Sequence, residues 1–238
     1  MSFAGRIRPV IDRVYVGARA GARDRVLAVY AERDLKPGFE SSFYFGLLAR
    51  PMPADGFAAA TSYLGGDMTA ELEQGVAVVD PDGTWRLTDL GREVALAVQL
   101  AIGDAAAERW NPGPPLDAML PGHASLPRLV DLLGRLLDAG SATGGPAFRA
   151  LEPVSEPVDA SPAVRLTSRL GALRHHRADA HRAAWQAAGL TVQQIKELPA
   201  GPQRQAIDAE TDRRDEPIYD VLSADEKVDL LAGLGALP

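Results

Sequence analysis

GVAVVDPDGTWRLTDLGRE, Gly75–Glu93, decides the fold class of this chain. Two β-rich runs surround Asp80-Pro81-Asp82-Gly83, a turn-forming tetrad, and predict an antiparallel hairpin. Thr88 then serves as an N-cap, with Asp89 in the first turn and Glu93 farther along, so a helix is expected to run to about Arg109. Upstream, a long helix from about Ile7 to Arg33 carries Val10, Val14, Ala18, Ala22, Val26 and Tyr30 and ends before Lys36-Pro37-Gly38. An apolar segment, Phe43 to Leu48, stops at Pro51 and Pro53, and its aromatic run Phe43, Tyr44 and Phe45 reads as core. A helix from Ala54 to Leu64, closed by Gly65-Gly66, precedes a third short helical stretch, Met68 to Gln74. Three helices, a short hairpin and a further helix describe a winged helix-turn-helix.

Downstream, the Pro/Gly-rich connection Asn111 to Pro127 divides the chain into residues 1–110 and a helical second half, 128–238. Pro127 to Leu137 is predicted helical, and Gly140 to Pro162 reads as a loop. A polar helix follows from about Ala163 to Gly189, where glycine supplies the C-terminal cap. Thr191 caps a short helix to Leu198, Gly201 precedes a helix through Arg214, and Ser223 with Glu226 forms a capping box for the last helix. The fold expected is mainly α: a winged helix-turn-helix with a short β-hairpin wing, plus a helical second half.

With 46% hydrophobic and 24% charged residues, the 238-residue chain has the balance of a globular protein rather than a disordered one. No run approaches the eighteen or so apolar residues of a membrane helix, and MSFAGRIRPVIDR has no apolar signal core, so a cytoplasmic protein with no membrane partner is expected. The absence of cysteine removes disulfides, thiolate metal sites and thiol nucleophiles. Only Lys36, Lys196 and Lys227 are lysine among 25 basic residues, which together with the alanine richness points to a GC-rich bacterial genome. The net charge of −7 is unevenly placed. Residues 1–34 carry seven arginines against four acids, net +3, whereas residues 51–108 carry two against ten, net −8.

Chemistry concentrates in LRHHRADAHRAAWQAAGL, Leu173–Leu190. Leu166, Leu170 and Leu173 continue at helical spacing to Ala180, Ala184 and Ala188, so the inward stripe passes through Arg177 and lies beside His181. A buried guanidinium and imidazole cost several kcal/mol unless paired. Three readings follow. Glu210, Thr211 and Asp212 offer acceptors for a structural ion-pair network joining this helix to AETDRRDEP. Alternatively Arg174, His175, His176, Arg177, Asp179 and His181 line a pocket for an anionic or aromatic small molecule, with Trp185 for stacking. In an enzyme, His181, His176, Asp179 and Arg177 would be the catalytic candidates. The spacing supplies too few ligands for a metal without help from Glu210 or Asp212, and neither a metal nor a cofactor is expected.

The segment Gly75–Glu93 resembles the wing and following helix of MarR-type bacterial regulators. GGPAFRALE (144–152), LRHHRADAHRAAWQAAGL and IDAETDRRDEPIYDVL (207–222) resemble a group of actinobacterial MarR-like winged-helix proteins. These share a Leu-Arg-x-His-Arg-(Gly or Ala)-Asp-x-His run and a Glu-x-x-Thr-Asp-Arg-x-x-x-Pro-x-Tyr segment. In this chain the wing precedes the polar helix. The resemblance implies a ligand-responsive regulator, double-stranded DNA as a partner and a homodimer.

The residues themselves give DNA reading weaker support. The candidate recognition segment GGDMTAELEQG presents Asp67, Glu71 and Glu73, leaving Thr69, Gln74 and the wing residue Arg86 as DNA contacts. The alternative is an enzyme or sequestering protein of specialised metabolism that keeps the scaffold without binding DNA. His123 in LPGHASLP reads as a solvated loop residue. The apolar tail VDLLAGLGALP is expected to pack either on a partner subunit or within its own chain.

Overall fold

The computed structural model describes residues 2–37, 41–63, 69–110 and 125–238, and of residues 41–44 the backbone alone. Helices α1 (Phe3–Gly21), α2 (Arg23–Ala31), α3 (Ser41–Ala49), α4 (Ala54–Thr61) and α5 (Thr69–Glu73) lead into strands β1 (Ala77–Val79) and β2 (Trp85–Leu87). Helix α6 (Asp89–Trp110) ends the first half. The second half holds α7 (Leu126–Thr143), α8 (Pro146–Leu151), α9 (Pro162–Ala187), α10 (Val192–Glu197) and α11 (Pro202–Asp215). A 3-10 helix (Glu216–Val221) and α12 (Ala224–Ala236) complete it. The chain is mainly helical, with one two-stranded antiparallel sheet.

The hairpin forms where its turn chemistry places it. Asp80 and Thr84 close the turn through a 2.9 Å backbone bond, and Gly83 adopts a φ of 83°, a left-handed conformation that a side chain disfavours. Val78 pairs with Arg86, and Met52 adds an isolated antiparallel bridge to Trp85. Trp85 stacks on Phe57 at 4.0 Å, fastening the sheet to α4. Thr88 caps α6 as expected, its hydroxyl oxygen accepting from the Gly91 amide at 3.1 Å.

Helix α9 is the axis of the molecule and packs against α1, α6, α7, α8 and α11. The largest apolar core gathers Leu129, Leu133 and Leu136 of α7 with Ile7 and Val14 of α1, Trp110 of α6, Phe148 of α8 and Leu166 of α9. Residues from both sides of segment 111–124 therefore share one core. A second core beneath the hairpin joins Tyr30, Met52, Trp85, Val94 and Val98. The C-terminal tail packs within its own chain: Leu230, Leu234 and Leu237 are buried in the main core, and Arg13 of α1 donates to the carbonyls of Leu234, Gly235 and Leu237.

Two expected elements differ. The long first helix is broken at Ala22, which ends α1 and begins α2. Apolar residues spaced four apart advance about 40° per step around an α-helix, so a straight rod would carry its later members off the core face. The break lets α1 stay on the main core while Ala22 and Tyr30 join the second. The expected loop 140–162 is also partly helical: α7 continues to Thr143, and α8 follows. Gly140 permits the continuation because a Cβ there would lie 2.8 Å from the Phe148 ring, which occupies that space. The N-terminal cap of α8 comes from α9 and is part of the site below. Phe45 is core as expected; the side chains of Phe43 and Tyr44, and residues 65–68 and His123, lie outside the description.

Candidate functional site

One face of α9 is tied down on all sides. Gly145 precedes α8 without a side chain to cap it, and the Asp179 carboxylate takes that role, accepting from the Ala147 and Phe148 amides at 3.2 and 2.8 Å. A Cβ on Gly145 would stand 2.6 Å from Asp179 Cγ, so glycine is what admits the carboxylate. Arg182 donates to Asp179 at 2.5 Å and to the Ala59 carbonyl and Ser62 hydroxyl at 2.6 and 2.9 Å, joining α9 to the end of α4. His176 has both ring nitrogens occupied, by Asp215 at 2.8 Å and by Thr143 at 2.9 Å.

Arg177 completes this network from the helix edge, donating to Asp215 at 3.2 Å and Asp212 at 2.6 Å. Burial works against its charge, yet Asp212 and Asp215 outweigh burial and hold its pKa above the ordinary arginine value. Asp215, 1% exposed, is the hub: one carboxylate serves both His176 and Arg177.

The opposite face of α9 lines a cleft of about 530 Å³ between α1, α9 and α11, within the usual range for small-molecule sites. Arg8, Asp12 and Tyr15 come from α1, Arg174 and His181 from α9, and Asp208 from α11. Tyr63 closes one end. Its hydroxyl accepts from the Trp185 indole N–H at 2.9 Å and lies 3.1 Å from His181 Nδ1. The indole N–H takes one lone pair of the Tyr63 oxygen, and assigning the Tyr63 proton to His181 Nδ1 gives the hydroxyl its acceptor and leaves the imidazole proton on Nε2. Nε2 has no partner among the described residues.

Desolvation pushes the His181 pKa down to about 4, with Asp208 opposing the shift and Arg204, Arg8 and Arg177 reinforcing it. The ring is therefore neutral near pH 7 and too weakly basic to be an effective general base there. Between the unfolded value of 6.5 and about 4, the unfolded chain binds a proton that the folded chain refuses. Stability is accordingly lost as pH falls through that window, by at most about 2 kcal/mol between roughly pH 7.5 and pH 5, a ceiling that solvent screening of the part-buried ring lowers. His181→Gln should flatten this part of the profile in urea denaturation at the two pH values; an unchanged slope contradicts a part-buried neutral imidazole.

The structure divides the predicted site residues. Arg174, His175, Arg177 and His181 line the cleft, whereas His176 and Asp179 face away from it beside a second pocket of about 800 Å³. Trp185 is not a stacking platform: it is 6% exposed in a small core with Ala184, Ile195 and Ile207, and its N–H orients Tyr63. Among the predicted acceptors only Asp212 reaches α9. Glu210 turns to Arg213 and Arg214, and the Thr211 hydroxyl bonds the Ile207 carbonyl. Asp215 escaped the sequence reading, although it lies three residues after Asp212 on the same helical face. Asp12, Tyr15 and Tyr63 escaped it because nothing in their local sequence points to α9.

At the candidate DNA positions, the Gln74 amide accepts from the Lys36 amide at 2.5 Å and donates to the Lys36 and Ala70 carbonyls. Arg86 donates to Asp80 at 2.5 Å. Glu71 is buried, and Thr69 is exposed at the start of α5. Among the described residues no three His, Asp or Glu side chains are grouped to hold a metal ion, and no helix is long and apolar enough to cross a membrane. No protein-family model, curated protein or solved structure matches the chain, which leaves the cleft and the ion network as the ground for a function.

Proposed function

We propose that this chain is a ligand-responsive winged-helix regulator of MarR-like descent, in which a small molecule in the cleft repositions α4 and, through it, α5 and the hairpin. One junction carries the reading. Tyr63, just beyond α4, bonds His181 in the cleft wall, while Arg182 of the same helix holds Ser62 and the Ala59 carbonyl. A ligand that favours one placement of His181 therefore acts directly on the end of the helix that precedes α5. The element order supports the winged-helix part: α3, a bridge at Met52, α4, α5 and two antiparallel strands, with Met52 pairing against β2 as a third short strand. Kinship with the actinobacterial group draws support from its three motif segments meeting around Asp179 and Asp215.

In this reading two copies act on a palindromic operator, through a contact other than the buried C-terminal tail. Purified protein should retard DNA from upstream of its own gene at low salt, with binding that weakens as salt rises because phosphate contacts release counterions. Cleft ligand should alter that retardation. The engagement of Gln74 with Lys36 and of Arg86 with Asp80 favours a second reading, a sequestering protein or enzyme on the same scaffold. Absence of any retarded complex at low salt removes the regulator and leaves the second.

A further inference from the structure

The face of α9 turned away from the cleft borders the second pocket, and a relay of three side chains starts at its wall. The Thr143 hydroxyl lies 2.9 Å from His176 Nε2, and His176 Nδ1 lies 2.8 Å from Asp215 Oδ1. Arg177 donates to the same carboxylate, so Asp215 is the acceptor and the imidazole proton is assigned to Nδ1. Nε2 then turns a lone pair to the Thr143 hydroxyl. The Phe148 ring, nearly perpendicular to the imidazole at 5.3 Å, helps to hold it in this orientation. Three other helical threonines, Thr61, Thr167 and Thr211, donate to the carbonyl four residues back in their own helices. Thr143, at the exposed end of α7, gives its hydroxyl to His176 instead.

A hydroxyl within reach of an imidazole that a carboxylate orients is the arrangement of an activated nucleophile. We propose that Thr143 is the nucleophile of an acyl-transfer site in this pocket, with His176 as its base, Asp215 positioning the imidazole, and a small acyl ester as substrate. The Thr143 oxygen attacks the ester carbonyl as its proton passes to His176 Nε2. The bond from carbonyl carbon to leaving oxygen breaks, and His176 returns the proton to that oxygen, releasing an alcohol. Water, giving a proton to His176 in turn, cleaves the acyl-threonine ester; the acid departs and the hydroxyl is restored. Asp215 stabilises the imidazolium formed in each half. Arg213 and Arg214 share the single carboxylate of Glu210, which leaves positive charge at the pocket edge to favour the developing oxyanion. The small side chains of Ala59, Ala180 and Ala183 leave room for a short acyl chain.

The pocket is separate from the cleft, so its test does not depend on the regulator. The full chain should release p-nitrophenolate from p-nitrophenyl acetate faster than buffer does, and acid-quenched protein should carry an acetyl group on Thr143 by peptide mass spectrometry. Thr143→Ala should lose that adduct and slow the protein-dependent release at least about tenfold, whereas Thr143→Ser should keep both. Both variants should retain the wild-type far-ultraviolet circular dichroism, because position 143 is exposed. Release should be slower in deuterium oxide, since a proton moves in the attacking step. Release by Thr143→Ala equal to wild type, acetylation confined to lysines or the amino terminus, no release above buffer, or equal rates in the two solvents would overturn the proposal.

Discussion

Asp215→Ala is expected to lower the stability of the chain by about 3–5 kcal/mol, because it strips two buried partners at once. His176 is 2% exposed and loses the acceptor at Nδ1, and Arg177 keeps only Asp212. For a chain of this length the loss corresponds to a fall of roughly 6–20 °C in the thermal midpoint. Circular dichroism melts check it. His176→Ala in the Asp215→Ala background should cost much less than in wild type, since the two residues share one interaction. A midpoint within about 1 °C of wild type would mean that α9 and α11 are joined by apolar packing alone.

Asp179→Ala should be comparably costly, about 3–5 kcal/mol, but its damage is located elsewhere. It uncaps α8, leaving the Ala147 and Phe148 amides without an acceptor, and frees Arg182 from its buried carboxylate. Hydrogen exchange should accelerate at those two amides before it does in α11, whereas Asp215→Ala should loosen α11 and the 3-10 helix first. Uniform acceleration across both regions in both variants would show that the network melts as one unit. Asp179→Asn keeps an acceptor oxygen for α8, so the difference between Asn and Ala isolates the cap from the ion pair.

These costs explain which parts of the chain could be read in advance. The hairpin around Asp80–Gly83, the Thr88 cap, the Thr191 cap and the Ser223–Glu226 box depend on residues a few positions apart, and each formed where its local chemistry placed it. Helix α8 was hidden because its cap arrives from Asp179, thirty-two residues beyond Ala147 along the chain. The break at Ala22 was equally hidden, since it follows from which core each half of the rod joins. For the polar helix, spacing alone turned Arg177 inward and set His181 beside it, and both are partly buried. What spacing could not divide was the two faces of that helix. His176 and Asp179 belong to the lock and Arg174 to the cleft, a distinction made by Thr143, Gly145, Asp215 and Asp12, all distant in sequence.

The two faces answer to opposite demands. A network that fixes α9 against α8 and α11 gives the cleft a rigid wall, so ligand binding need not organise it. The partners of Arg174 and His181 on the cleft face are lightly held by comparison, and one of them, Tyr63, adjoins the end of α4. Rigid support thus lies on one side of α9 and part-exposed, lightly held partners on the other.

Thermal denaturation of Asp215→Ala and Arg174→Gln, run side by side with wild type, tests this division most directly. The account predicts a fall of roughly 6–20 °C for Asp215→Ala and less than about 4 °C for Arg174→Gln, whose partner is an exposed carboxylate. Equal losses in the two variants would contradict it, because Arg174 would then be as structural as the lock.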